Sequence, residues 1–251
     1  HFSGAVSGRI PAPDMQAAAA LFYLVLFVPL AALAWLLGHM CDVPAIRPGR
    51  HPARFGALGL VAGSLGLAVA FALTAIRGGI GDGPGESSLG PALLLGLALT
   101  LIQTAAEEML FRGWLQGVLT RLAGPLPGLA LGALCFAAMH LAGGPVSGQA
   151  FINLTLAGLF FGLLAWKSGG LVAPIAAHFG WNAVEDLGLG LVPNPGIGPF
   201  GAIRDIDIAG PAIWGGSAVG LNASIGTSVV LLVLVIALTP WKRHQLTRNR
   251  T

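Results

Sequence analysis

Hydrophobic runs separated by short polar stretches predict a chain of membrane-spanning helices. A helix needs about 20 mostly apolar residues to cross the hydrocarbon core of a bilayer. Runs that reach or approach this length are residues 15–38, 55–76, 91–119, 126–141, 150–166, 170–187 and 217–240. Between them, residues 78–90 and 188–216 are rich in glycine, proline and polar residues, which predicts loops. The pattern therefore predicts an all-α, polytopic transmembrane bundle with about seven spans.

The composition agrees with a membrane protein. Of the 251 residues, 55% are hydrophobic and only 9% are charged, whereas roughly a quarter of the residues in ordinary soluble domains are charged. We expect one integral membrane domain over residues 1–251, with the functional motifs in about 91–187. The sequence has no basic patch interleaved with aromatic residues, so nucleic acid is not an expected partner.

The distribution of lysine and arginine predicts the orientation. If the N-terminus is outside, nine cations lie on the cytoplasmic side and three on the outer side, which follows the positive-inside rule. The nine are Arg47, Arg50, Arg54, Arg121, Lys167, Lys242, Arg243, Arg248 and Arg250, and the three are Arg9, Arg77 and Arg204. We therefore expect the N-terminus outside and the C-terminus in the cytoplasm. The membrane we expect is that of a bacterial or archaeal cell.

Three charged residues lie inside the third predicted span, where charge is costly and usually functional. Glu108 and Arg112 are four residues apart and share a helix face, so they can form an ion pair. That pair either fixes helix packing or takes part in the chemistry. Glu107 has no expected local partner, which favours it as a general base.

Two further spans contribute histidines. His140 ends the fourth span, and His178 and Asn182 lie one turn apart in the sixth. At a rise of 1.5 Å per residue, Glu107 and His140 both lie roughly 21 Å from the cation-rich end, and His178 and Asn182 roughly 16 and 22 Å. These side chains can therefore meet in one layer, closer to the outer face.

Such a cluster suits the addition of activated water to an amide, with Glu and His activating the water and His and Asn stabilising the oxyanion. Two histidines and a glutamate are equally a zinc ligand set, whose bound water would be the nucleophile. A non-catalytic transport or binding protein is a further alternative, because proton relays also use buried Glu and His. The residues alone leave these alternatives open.

Three motifs, in this order on successive hydrophobic spans, resemble those of the CPBP family (CAAX protease and bacteriocin-processing, or ABI) of intramembrane proteases, which includes the Rce1-type prenyl-protein endopeptidases. They are Glu107-Glu108-x-x-x-Arg112, Phe136-x-x-x-His140 and His178-x-x-x-Asn182. The resemblance covers roughly residues 91–187. It implies Glu107 as the base, His140 on the attacking water, an oxyanion site at His178 and Asn182, and support of Glu107 by Glu108 and Arg112.

The same resemblance implies a glutamate protease without a required cofactor, although members were first described as metalloproteases, so zinc stays an alternative. It implies a membrane-anchored or lipidated protein or peptide, cut near its C-terminus within the lipid bilayer. Relatives include CaaX processors, bacteriocin-immunity proteins and myxosortase-like members thought to trim C-terminal sorting signals. The outer depth of the cluster favours an exported substrate over a cytosolic prenylated tail, and an inactive immunity or scaffold protein is the remaining alternative.

Other motifs are expected to be structural. Residues 79–82 spell the GxGD string of aspartyl intramembrane proteases, but they lie in a polar loop. The GxxxG strings at 128–132 and 158–162 favour helix packing. Glu185 and Asp186 are expected at a solvated helix end near the mouth of the site.

Overall fold

The chain folds as an all-α bundle with almost no sheet, as predicted. A computed structural model describes residues 13–77, 79–83, 90–143 and 147–239. Its helices are α1 Pro13–Met40, α2 Pro52–Ile76, α3 Pro91–Glu108, α4 Gln116–Ala123, α5 Pro125–Met139, α6 Gly148–Ser168, α7 Val172–Asn182 and α8 Ile225–Leu238. Two π-helical segments extend them: Met109–Leu115 joins α3 to α4, and Ala183–Gly188 continues α7. Two short strands, β1 Ile80–Asp82 and β2 Ile206–Ile208, pair antiparallel.

Five helical segments are long and apolar enough to cross a membrane, and they correspond to the first five predicted spans. They are Asp14–Met40, Pro52–Ile76, Pro91–Ala123, Pro125–Ala142 and Gly148–Ser168. The sixth predicted span corresponds to α7 with its π-helical extension. These helices make the chain an integral membrane protein.

The start of the seventh predicted span is wrong. It was placed at residue 217, but α8 begins only at Ile225 because Gly220–Ala223 forms a separate 3-10 helix. Ser224 then caps α8, since its hydroxyl oxygen accepts a hydrogen bond from the Thr227 backbone N–H at 3.0 Å. The predicted C-terminal boundary at residue 240 lies outside the described residues.

The predicted loop 188–216 is folded over one end of the bundle. Asn194 fastens it: its Nδ2 donates to the carbonyls of Ile208 and Ser217, and its Oδ1 accepts from the Ile208 N–H. Strand β2 of this segment pairs with β1, which contains Asp82 of the GxGD string. The Asp82 side chain is 87% exposed, in agreement with a structural role. We call this end, built by 79–83 and 188–224, the capped end.

Cations predicted to share one side of the membrane lie together at the opposite end. Arg121 donates hydrogen bonds to the backbone carbonyls of Cys41 and Asp42, and Arg50 donates to that of Lys167. We call this the basic end, where the loop after α1 meets α4 and the α6–α7 connection. Which side of the membrane it faces stays a prediction.

A row of glycines on α2 sets the position of α7. The row consists of Gly56, Gly59, Gly63 and Gly66, all of them buried. A Cβ atom at Gly59 or Gly63 would overlap the carbonyl oxygen of Ala173 or Ala177 in α7. Glycine therefore lets the two backbones approach closely, and this contact fixes the backbone of α7 at Ala177, directly before His178.

The two predicted GxxxG strings also lie at helix contacts. A Cβ atom at Gly158 of α6 would meet Ala133 of α5, and one at Gly128 of α5 would meet Thr120 of α4. Their role in packing agrees with the sequence interpretation.

Candidate active site

The predicted site residues come from three helices and meet around one cavity of about 300 Å³. Its lining includes Glu107 of α3, His140 at the end of α5, and His178 and Asn182 of α7. Glu108 and Arg112 do not line this cavity; Glu108 contacts His178 from the buried side, and Arg112 contacts Glu108. All six predicted residues thus belong to one cluster.

Glu107 presents one unpaired carboxylate oxygen. The side chain is buried, and its Oε1 accepts a hydrogen bond from Gln103 Nε2 at 3.2 Å. Its Oε2 has no hydrogen-bond partner within the described part of the chain and lies 3.9 Å from His178 Nε2. The expectation that Glu107 lacks a local partner was therefore wrong, because Gln103 lies one helical turn earlier on the same face. The free oxygen is the one that can accept a proton from water.

Glu108 links Arg112 to His178 through a single oxygen. Its Oε1 accepts from Arg112 Nη1 at 2.8 Å and from His178 Nδ1 at 2.9 Å. The carboxylate is fully buried, and Arg112 Nη2 also donates to the Gly158 carbonyl at 3.3 Å. Because an ionised carboxylate only accepts, the Nδ1 of His178 carries the hydrogen. This bond fixes the ring and leaves its Nε2 on the side of Glu107.

His140 is oriented by its own helix end. Its Nδ1 lies 2.8 Å from the Phe136 carbonyl oxygen, in the turn where α5 passes into a 3-10 helix. A carbonyl only accepts, so Nδ1 carries the hydrogen, and Nε2 is the nitrogen left to bind a ligand or water.

Aromatic rings hold the two imidazoles in place. Phe136 meets His140 edge to face at 4.8 Å and His178 at 5.9 Å, measured between ring centroids. Phe161 stacks on His178 at 4.7 Å with an interplanar angle of 20°. The guanidinium of Arg112 lies 4.3 Å from the centre of the Phe136 ring, a cation–π distance. The second motif therefore supplies both a histidine and the aromatic wall between the histidines.

Asn182 is a hydrogen-bond donor whose side-chain amide is available to a ligand. Its half-buried side chain lines the cavity one turn after His178. The amide forms no hydrogen bond with any residue that the structure describes. It is therefore free to donate to a bound carbonyl oxygen.

Both site helices become π-helical directly after their site residues. The change follows Glu108 in α3 and Asn182 in α7. A π-helical turn holds an extra residue and is frequent at functional sites. Here it changes which later side chains point toward the cavity.

Residues that the sequence interpretation missed or misplaced also line the cavity. They include Gln103, Asn153, Glu185, Asp186 and Asn222. The solvated helix end expected at Glu185 and Asp186 is wrong for Glu185, which is 4% exposed. Its Oε1 accepts from Asn222 Nδ2 at 3.4 Å, because the chain continues as a π-helix and the Gly220–Ala223 turn covers it. The one sequence feature that indicated Glu185 as a residue of the site is its position three residues after Asn182.

The described side chains are not arranged as the ligand set that a zinc site would need. Over the ranges that the structure describes, no three His, Cys, Asp or Glu side chains are grouped so that they could hold a metal ion. The two histidines and Glu107 reach the cavity, but not in a three-ligand arrangement.

Comparison with known protein families shows that a family model matches the segment containing these residues. Residues 89–184 match the family model described as "Type II CAAX prenyl endopeptidase Rce1-like". No curated protein and no solved structure gave a significant match to the chain. The matched segment runs from just before α3 into the π-helical extension of α7 and contains all three motifs. The segment that carries the predicted site residues is therefore similar to the Rce1-like family of type II CAAX prenyl endopeptidases.

Proposed function

We propose that this chain is an intramembrane endopeptidase of the CAAX type in which Glu107 activates the hydrolytic water. One observation carries the proposal: the buried Oε2 of Glu107, which accepts no hydrogen bond from the described residues, lies at a cavity that His140, His178 and Asn182 also line. The family match supports a peptide bond as the target.

The first step needs a water between Glu107 Oε2 and His140 Nε2. Glu107 takes one proton from this water while the water oxygen adds to the carbonyl carbon of the scissile amide. When the C–N bond breaks, the proton passes from Glu107 to the leaving nitrogen. That transfer returns Glu107 to its starting state, and the new carboxyl group gives its proton to the released amine or to water.

The oxyanion of the tetrahedral intermediate would be held by Asn182 and His178. Asn182 donates through its free amide. His178 can donate from Nε2 only as the doubly protonated ring, since its Nδ1 hydrogen is directed at Glu108. Glu108 is then a positioning residue that stabilises this imidazolium, with Arg112 fixing Glu108. This role differs from the direct support of Glu107 that the family resemblance implies.

The substrate we propose is a membrane-anchored or lipidated protein, cut near its C-terminus. Val192 and Asn222, from the capped end, line the cavity, so the site lies toward that end of the bundle. If the basic end is cytoplasmic, the site opens toward the outer face. This supports an exported protein with a C-terminal sorting helix over a cytosolic prenylated tail.

The test is cleavage of co-expressed, membrane-anchored candidate substrates by the wild type and by Glu107→Gln, each with and without a strong zinc chelator. Asp82→Asn is the matched control, because it removes an exposed carboxylate at the surface of the cap. We expect chelator-resistant cleavage by the wild type and the control, and none by Glu107→Gln. Chelator-sensitive cleavage would favour zinc instead, and undiminished cleavage by Glu107→Gln would refute the proposed base.

A further inference from the structure

A second cavity, of about 330 Å³, lies at the basic end of the bundle. It is bounded by the loop after α1, by α4 and the π-helical segment before it, and by the α6–α7 connection. Its volume falls within the range of small-molecule sites, about 300–1,000 Å³. It shares no lining residue with the cavity at Glu107, so it requires an explanation of its own.

The charged lining of this cavity is entirely positive. Arg47, Arg112 and Arg121 line it together with the polar side chains of Gln116 and Thr120, and none of the described lining residues is a carboxylate. A concave surface with charges of one sign concentrates ions of the opposite sign.

Two of these charges are not compensated. Arg121 donates only to backbone carbonyls, those of Cys41 and Asp42, which are neutral. The Arg47 side chain has no hydrogen bond or ion pair to the residues that the structure describes. Arg112, in contrast, is paired with Glu108. An anion in the cavity would therefore meet the uncompensated charge of Arg121 and the unengaged guanidinium of Arg47, whose planar fork suits bidentate binding of phosphate.

The other part of the lining suits the interface of a membrane. Trp166 stands among the lining residues and is 43% exposed, and Val43, Pro44 and Leu171 add apolar surface. Tryptophan is enriched where spans meet the headgroup region. Basic pockets between helices at this level can bind anionic headgroups.

We infer that this cavity binds a phosphate-bearing anion, either the headgroup of an anionic lipid or a soluble phosphate. The inference is independent of the proposed protease activity. It adds a link between the two cavities, because Arg112 lines this one and holds Glu108, which in turn holds His178. An anion bound here lies next to the residue that orients the candidate oxyanion site.

Binding is tested on the purified full chain in neutral-lipid nanodiscs, using phosphatidylglycerol in one arm and inorganic phosphate or pyrophosphate at constant ionic strength in the other. The readouts are bound lipid by native mass spectrometry and the unfolding midpoint, which rises when a ligand binds the folded state. The variant is Arg47→Gln, since this side chain has no structural partner. Arg204→Gln, at the capped end, removes the same charge and is the control.

We expect one class of anion to bind and stabilise the chain, with the dissociation constant raised about fivefold in Arg47→Gln and unchanged in Arg204→Gln. Saturation by phosphatidylglycerol alone identifies a lipid headgroup, and saturation by the soluble anions identifies a free phosphate. The inference is overturned if neither class binds, or if both variants weaken binding equally, as a general surface-charge effect would.

Discussion

The Nδ1 atom of His178 lies 2.9 Å from Oε1 of Glu108, across 70 positions of sequence. The bond joins the first motif to the third and decides which nitrogen of the imidazole is left for a substrate. It also shows why two adjacent glutamates are present: Glu107 faces the cavity, whereas Glu108 faces the histidine. In the mechanism we propose, Glu107 therefore activates the water and Glu108 orients His178.

Removing the Glu108 charge tests this division. In Glu108→Gln the buried Arg112 loses its counter-ion, which we expect to destabilise the fold by about 3–5 kcal/mol. In the double variant Glu108→Gln/Arg112→Met both charges are gone, so much of that stability should return. Cleavage should stay about 10²-fold below wild type in both, because a neutral side chain at position 108 no longer stabilises the His178 imidazolium. Thermal unfolding in detergent and cleavage rates measure the two effects, and recovery of cleavage in the double variant would leave Glu108 a purely structural role.

Asn182→Ala separates a protease from a transport protein. Loss of one oxyanion donor should lower kcat about 10²–10³-fold and leave KM nearly unchanged, because the bond forms fully only in the transition state. A transport or binding protein that uses the same cluster should tolerate this change better than Glu107→Gln. Steady-state cleavage of a reporter substrate by both variants decides between them, and near-normal turnover by Asn182→Ala would count against the oxyanion site.

Much of the bundle was predictable because hydropathy reports where a chain crosses the membrane. For the same reason, the charged residues inside the third hydrophobic span could be recognised as exceptions to the apolar pattern. A helical rise of 1.5 Å per residue then predicted that Glu107, His140, His178 and Asn182 share a layer. These four residues do line one cavity. Their heights needed only the sequence, since each lies on a helical run that begins near a charged loop.

The features that the sequence did not predict depend on how each helix is rotated about its axis and on which residues pack against it. The burial of Glu185 follows from the π-helical turn after Asn182 and from the cap above it, and hydropathy reports neither. The Gln103 contact follows an i, i+4 spacing, which the hydropathy pattern does not single out. The glycines of α2 were not distinguished from the many others, because only the position of α7 shows which of the 38 glycines form a contact face.

The contact between α2 and α7 predicts a strong effect far from the catalytic groups. In Gly63→Ala the new methyl group would overlap the Ala177 carbonyl, next to His178. We expect a loss of about 1–3 kcal/mol in stability from overpacking, together with reduced cleavage as α7 shifts. Unfolding midpoints and cleavage rates measure both. Gly148→Ala is the control, since no atom lies within 4 Å of a Cβ there; equal effects of the two variants would contradict this account.

The orientation of the bundle can be tested with the native cysteine Cys41. This exposed thiol lies at the basic end, where Arg121 binds its carbonyl, and Cys135→Ser leaves it as the only cysteine. If the positive-inside rule holds, a membrane-impermeant maleimide should label Cys41 only after cells are permeabilised. In the matched variant Asp82→Cys, with both native cysteines replaced by serine, the capped end should be labelled in intact cells. The reverse pattern would place the capped end in the cytoplasm, and with it the side from which a substrate reaches Glu107.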